Sequence, residues 1–398
     1  MKVAIWWEQD DWGGVDSHML SLLSNWPNED EITLIVNANN PGWKRVEPLL
    51  LHTKPLNVVE LKRKKVRGSF AMLFFEFALL PFNMWRNSNQ AKRVLRKHGP
   101  FDAFLGENGG YPASWPTLAA LRGAHRIGIN ARVLLVQHQA VPRLPFRQTL
   151  ELLIDRSMSK FCTSVIATSR ATRKSLIEIR QFDMTKLPVR VIYNGINLDT
   201  KEYEFDLREQ FGVSPNSFLI GILGRLEPYK GHDELVRAVS MLPDGIRQKI
   251  TLCIIGGSDN VRKNEIMALA SSLGIGGQVV FTGYIDTTPQ EIISSLDLLI
   301  QATQEFESPG LTILEAMAVG TPVLATNVGA VPEFFDTSVG VVVHPGSILD
   351  LSLGIHFAAE NRGEMLVRAQ DAKLRVMQFD EKIMAREIRN ELSILGQL

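Results

Sequence analysis

Cysteine is almost absent from this chain: two residues, Cys162 and Cys253, among 398. They lie far apart in apolar surroundings, so no disulfide framework organises the fold, and two buried thiols in a reducing cytoplasm are expected. No Cys/His cluster has metal-ligand spacing, so no metal site is expected. An excess of one charge is missing too. Lys plus Arg number 43 against 43 Asp plus Glu, which removes the global field that would draw the chain to nucleic acid. No apolar run approaches a membrane span in length. Met1-Lys2-Val3-Ala4-Ile5-Trp6-Trp7, followed by Glu8, Asp10 and Asp11, reads as a first strand and its loop and not as a signal peptide. The glycine signatures of dinucleotide and P-loop sites are lacking: Gly221-Ile222-Leu223-Gly224 is not Gly-x-Gly-x-x-Gly, and Lys230-Gly231-His232 has the wrong spacing. Nor is there a carboxylate pair like that of a glycosidase.

What is present is a 45% hydrophobic chain too long for one typical domain. Apolar strand-like runs alternate with helical patterns from end to end, which predicts βαβ units and parallel sheets in two doubly wound domains. In the N-terminal half the first strand is followed by Gly13-Gly14. A glycine pair there lets backbone approach a phosphate, or simply makes a turn. The basic cluster Lys62-Arg63-Lys64-Lys65-Val66-Arg67 precedes an apolar run from Phe70 to Phe82. Basic residues beside an aromatic-rich apolar helix suit docking on anionic lipid; a buried helix after a solvated loop is the alternative. A basic amphipathic helix is expected over 87–98. Val133-Leu134-Leu135-Val136-Gln137 is a buried strand ending at His138, which by itself reads as structural.

The C-terminal half carries the denser chemistry. The strand around 218–224 presents Arg225, and its loop presents Lys230. Two cations there can hold the charge of a departing diphosphate without a metal; each alone reads as a surface residue. Gly256, after the next strand, allows close backbone approach to a nucleotide. A strand at Leu298-Leu299-Ile300 leads into Thr303-Gln304-Glu305-Phe306-Glu307-Ser308-Pro309-Gly310-Leu311-Thr312-Ile313-Leu314-Glu315. Ser308-Pro309-Gly310 opens a helix that runs to about Val319, stopped by Gly320 and Pro322. The free N–H groups near Gly310, Leu311 and Thr312 favour an anion. Glu307 precedes this front, and Glu315 lies about 7–8 Å beyond it at ~1.5 Å per residue. Carboxylates suit ribose or hexose hydroxyls, although either glutamate alone reads as an ordinary helix acid.

Taken together, Glu-x7-Glu within Glu-Ser-Pro-Gly-Leu-Thr-Ile-Leu-Glu-Ala-Met-Ala-Val-Gly-Thr-Pro-Val, and Gly-Arg-x4-Lys-Gly at 224–231, resemble the donor site of GT-B glycosyltransferases, in particular the retaining family 4. One departure is Pro309, where many members carry Phe. The resemblance implies two Rossmann-like α/β domains facing a cleft. The acceptor-side domain would span 1–197, with a helix at about 380–398 packing back on it. A linker at 198–216 and a nucleotide-sugar domain at 217–379 would follow. It implies transfer from a UDP- or GDP-sugar to a saccharide or lipid-linked hydroxyl acceptor, in surface polysaccharide or lipid-linked glycan synthesis, without a cofactor. Arg225 and Lys230 would hold the diphosphate, Glu307 and His138 would meet the donor sugar, and Glu315 the ribose. Tyr284 would lie at the base, and Gly13 and Gly14 would close over the diphosphate. The enzyme would be cytoplasmic, with residues 62–82 placing it on the membrane's inner face. A sugar-nucleotide epimerase, a glycosyl phosphorylase and a non-catalytic nucleotide-sugar-binding scaffold are the alternatives.

Overall fold

A computed structural model describes residues 1–9, 13–50, 55–62, 79–199, 203–257, 260–308 and 310–397. It divides into two compact units, Met1–Gly195 with Glu381–Leu398, and Ile196–Asp380.

Among the described residues the first unit holds a parallel sheet of strands β1 (Lys2–Trp7), β2 (Glu31–Asn37), β3 (Leu56–Leu61), β4 (Ala103–Asn108), β5 (Ala131–Val136), β6 (Ser164–Ala167) and β7 (Val189–Val191). Their spatial order is β3-β2-β1-β4-β5-β6-β7. The central strands are apolar without interruption because both faces of the sheet are covered. Alternate residues serve opposite cores: Ile5, Leu34, Leu105 and Val133 pack on one side, and Ala4, Trp6, Ile35, Phe104 and Leu134 on the other. The helix Glu381–Gln397 belongs to this unit. Its Met384, Ala385, Ile388 and Leu392 enter the first of those cores. Arg389 Nε donates to Asp30 Oδ2 at 3.0 Å, and Ser164 Oγ to Glu391 at 2.7 Å.

The helix expected over 87–98 is longer, running Leu80–His98, because Pro81 fits its first turn and presents no N–H to leave unpaired. Phe82 therefore opens this helix instead of closing an earlier one. Lys62 follows β3, while the remainder of the basic cluster and the apolar run as far as Ala78 fall outside the described residues.

In the second unit, among the described residues, β8 (Phe218–Leu223), β9 (Ile250–Ile255), β10 (Val279–Gly283), β11 (Leu298–Gln301), β12 (Val323–Thr326) and β13 (Val341–Val343) form a parallel sheet in the order β10-β9-β8-β11-β12-β13. Residues 198–216, read from sequence as a linker, lie within this unit. They contain the short helix Leu207–Phe211, capped by Asp206, and Arg208 pairs with Asp297 at 2.6 Å. The strand order reverses between β1 and β4 in one sheet and between β8 and β11 in the other. Open α/β sheets bind ligands outside the strands' carboxyl ends at such switch points.

Candidate functional site

The second unit's switch point brings two loops together. After β8 the chain passes Gly224 and Arg225, makes a single turn at Pro228–Lys230, and reverses at Gly231, whose φ is +79°. A Cβ on Gly231 would stand 1.9 Å from the carbonyl oxygen of Ala302, so only glycine lets this loop lie against the β11 loop. Gln304 N donates to Tyr229 O at 2.7 Å across the same contact. The outcome is an ion pair between remote parts of the chain: Lys230 Nζ reaches Glu307 Oε2 at 2.8 Å. Glu307 is held by its backbone as well. Ala330 N donates to its carbonyl oxygen at 2.8 Å, and a Cβ on Gly329 would lie 2.2 Å from that oxygen.

Two residues that the sequence reading gave no role complete this centre. Gln301 Nε2 and Thr303 Oγ1 donate to Glu307 Oε2 at 2.5 and 2.7 Å, and both residues are buried. Their only sequence signal is polarity at the end of an otherwise apolar strand, Leu298-Leu299-Ile300-Gln301.

The helix beyond Glu307 runs Leu311–Val319, not from Ser308. Gly310 has φ +69°, a left-handed conformation that cannot continue a right-handed helix, so it stands as the cap. Ile313 N and Leu314 N both donate to Gly310 O, which places the N–H groups of Leu311 and Thr312 ahead of the hydrogen-bonded ladder. Pro309 lies outside the described residues. Glu315 sits inside the helix and is buried, and burial pushes its carboxyl up to about 7.

Arg225 is exposed and pairs with Glu227 Oε1 at 3.3 Å. Gly256 has φ +140°, and a Cβ there would lie 2.0 Å from Gly224 O. The close approach this glycine permits is thus to the end of β8, which supplies a structural reason for it. Tyr284, just past β10, is half exposed. The structure therefore joins Lys230 and Glu307 directly and sets Gly310, Leu311, Thr312 and Glu315 on the next element. Arg225, Gly256 and Tyr284 stand on neighbouring strand ends.

In the first unit, Gly13 caps the helix Gly14–Ser24 and donates its N–H to Asp16 Oδ2 at 2.6 Å. His138 is half buried just past β5. Beneath these loops lies a buried polar layer, which includes Glu107, read from sequence as a loop residue and placed by the structure within β4. His18 Nε2 and Glu107 Oε2 are 3.9 Å apart and fully buried, and Asn194 Nδ2 donates to Gln137 Oε1 at 2.6 Å. Burial pushes Asp16 up to about 7, raises Glu107 well above the usual carboxylate range, and lowers His18 to about 3. These groups sit among apolar helix and strand residues, so periodicity hides them.

The glycosyltransferase family 4 model matches residues 12–200, and the glycosyl transferases group 1 model matches residues 204–375. This chain belongs to the family-4-like glycosyltransferases with the GT-B fold. Among curated relatives, an uncharacterized glycosyltransferase of Methanocaldococcus jannaschii is 30% identical over 203 residues, 48% of this chain and 49% of that protein. A D-inositol 3-phosphate glycosyltransferase of Corynebacterium jeikeium is 34% identical over 170 residues, 40% of each chain. The chain thus spans about half or less of the length of these relatives. Among solved structures, Anabaena HepE in complex with UDP shares the fold, with a TM-score of 0.74 at 21% identity over 99% of this chain and 100% of that one.

Proposed function

We propose that this protein is a retaining glycosyltransferase that moves a sugar from a nucleoside diphosphate sugar to a hydroxyl acceptor. The observation that carries the reading is the Lys230–Glu307 pair at 2.8 Å, three residues ahead of the helix cap Gly310, with Glu315 buried in the same helix. A UDP-sugar is the first donor to test, ahead of a GDP-sugar, because HepE of the same fold was solved with UDP and with UDP-glucose. In the proposed step the acceptor oxygen bonds to the anomeric carbon on the face from which the diphosphate departs. The carbon–oxygen bond to the diphosphate breaks, and a diphosphate oxygen takes the acceptor's proton. Arg225, Lys230 and the N–H groups of Leu311 and Thr312 hold the leaving charge. The Lys230 ammonium has three donor hydrogens, enough for Glu307 and for a diphosphate oxygen together. Glu307 and His138 are assigned to the donor sugar, Glu315 to the ribose, Gly256 and Tyr284 to the nucleoside, and Gly13 and Gly14 to the diphosphate side. The chemistry proposed requires no metal.

The test is a thermal-shift titration with UDP, GDP, ADP and CDP, followed by UDP-glucose turnover with and without EDTA. Stabilisation by one diphosphate is expected, weakened on the order of tenfold or more in affinity by Glu315→Ala. Turnover that needs an added hydroxyl acceptor and survives EDTA is also expected. Unchanged affinity in Glu315→Ala removes the ribose role, and donor conversion without acceptor favours an epimerase.

The acceptor is proposed to be a saccharide or lipid-linked glycan met at an anionic membrane surface. Among the described residues no helix is long and apolar enough to cross a membrane. Yet Leu79, Phe82 and Trp85 are exposed at the start of the helix Leu80–His98, with Phe82 stacked on Trp85 at 5.9 Å. That supports a peripheral association on the cytoplasmic face, with Lys62 and its basic neighbours meeting the headgroups.

A further inference from the structure

We infer that Gln301 and Thr303 are positioning residues that set the carboxylate of Glu307 for the transfer step. The inference rests on the transferase reading above and adds two residues to it. Three hydrogen-bond donors converge on one oxygen of Glu307: Lys230 Nζ at 2.8 Å, Thr303 Oγ1 at 2.7 Å and Gln301 Nε2 at 2.5 Å. Convergence on a single oxygen fixes the rotation of the carboxylate about its terminal bond, and with it the direction of the second oxygen.

The two neutral donors are themselves held. Thr312 Oγ1, in the first turn of the helix Leu311–Val319, donates to Gln301 Oε1 at 3.3 Å. The amide oxygen of Gln301 thus faces the helix front while its nitrogen faces Glu307. Gln301 Nε2 also lies 3.1 Å from Thr303 Oγ1, so the threonine hydroxyl accepts from Gln301 and hands its own hydrogen to Glu307. Thr326 Oγ1 donates to the carbonyl oxygen of Thr303 at 2.6 Å and locks its backbone. Gln301 and Thr303 are 4% and 0% exposed, which keeps water from replacing either donor. A relay therefore runs from Thr312, where the diphosphate is proposed to lie, through Gln301 and Thr303 to Glu307, where the sugar is proposed to lie.

Lys230 alone would hold Glu307 less well. Its long stem permits several rotamers, and a diphosphate oxygen competes for its hydrogens. The neutral donors are short or braced and have no such competitor. They keep the carboxylate in place while Lys230 shares itself with the leaving group, which links the ends of the relay during the step that needs both.

The test compares Thr303→Val, Thr303→Ser and Gln301→Met with the parent enzyme in UDP affinity, in kcat and KM for UDP-glucose turnover, and in crystal structures of each. Thr303→Val keeps the shape and removes the hydroxyl. It is expected to lower kcat on the order of tenfold or more with UDP affinity within about twofold. Its Glu307 carboxylate should turn away from the Lys230-bound direction. Thr303→Ser restores both the rate and the carboxylate, and Gln301→Met behaves as Thr303→Val does. A Thr303→Val enzyme with parental kcat, or with an unturned carboxylate, overturns the inference. So does a Thr303→Ser enzyme as slow as Thr303→Val. If the parent consumes no UDP-glucose, the donor reading fails by that result alone, and a carboxylate unmoved in Thr303→Val still sinks the positioning role.

Discussion

Glu315 shows how a single side chain carries opposed demands. Its carboxyl is buried within an apolar helix, and burial lifts it from 4.5 to about 7. Between those values the folded state retains a proton that the unfolded chain has lost, so its contribution to stability falls as pH rises from about 4.5 to about 7. Asp16, raised from 3.8 to about 7 by burial, acts in the same direction. Glu315→Gln keeps the shape without the titration. Thermal melts at about pH 5, 6, 7 and 8 should therefore show the parent losing ground to the variant as pH rises. Parallel curves would mean that Glu315 titrates like an ordinary glutamate. The tolerance of such a costly group fits a residue kept to meet hydroxyls, since a sugar diol replaces the water that burial removed.

At the scale of elements, glycines decide which loops touch. Gly231 lets the β8 loop lie on Ala302, Gly329 lets the β12 loop lie on Glu307, and Gly310 ends the approach to the helix front. The helix Leu80–His98 shows a different rule. Its inner face buries Ala91 and Leu95, while Leu79, Phe82 and Trp85 project from its beginning into solvent beside Arg86. Exposed aromatics next to cations suit the boundary between headgroups and acyl chains. Phe82→Ser combined with Trp85→Ser is expected to release the protein from phosphatidylserine vesicles in a flotation assay while the thermal melt stays close to the parent's. A parent that never floats with anionic vesicles ends the membrane reading.

For the whole molecule, the chain's end returns to its first unit. Ile388 lies 1% exposed among strands formed some three hundred residues earlier in the chain, and Arg389 closes on Asp30. Ile388→Ala should cost about 2–5 kcal/mol. Hydrogen exchange should locate that loss: amides of β1, β4 and β5 exchange faster, and those of β8 to β13 are unaffected. Equal acceleration in both sheets would show that the two units unfold as one.

Much of this protein is legible without coordinates because it is written in near neighbours. Continuous apolar runs such as Val3 to Trp7 announce buried parallel strands, and the Glu-x7-Glu spacing with its glycine stops announces a loop, a helix front and a carboxylate along the helix. Those are short-range facts of periodicity and capping. Other features needed the sheet order. Lys230 and Glu307 stand 77 residues apart and meet only because β8 and β11 are neighbours. Gln301 and Thr303 look like the tail of a strand until that meeting gives their donors a carboxylate to hold. Asp16, His18 and Glu107 look like surface polarity until burial joins them. Sequence determines what each segment can become; tertiary structure decides which remote segments share a site, because that depends on the order in which the strands assemble.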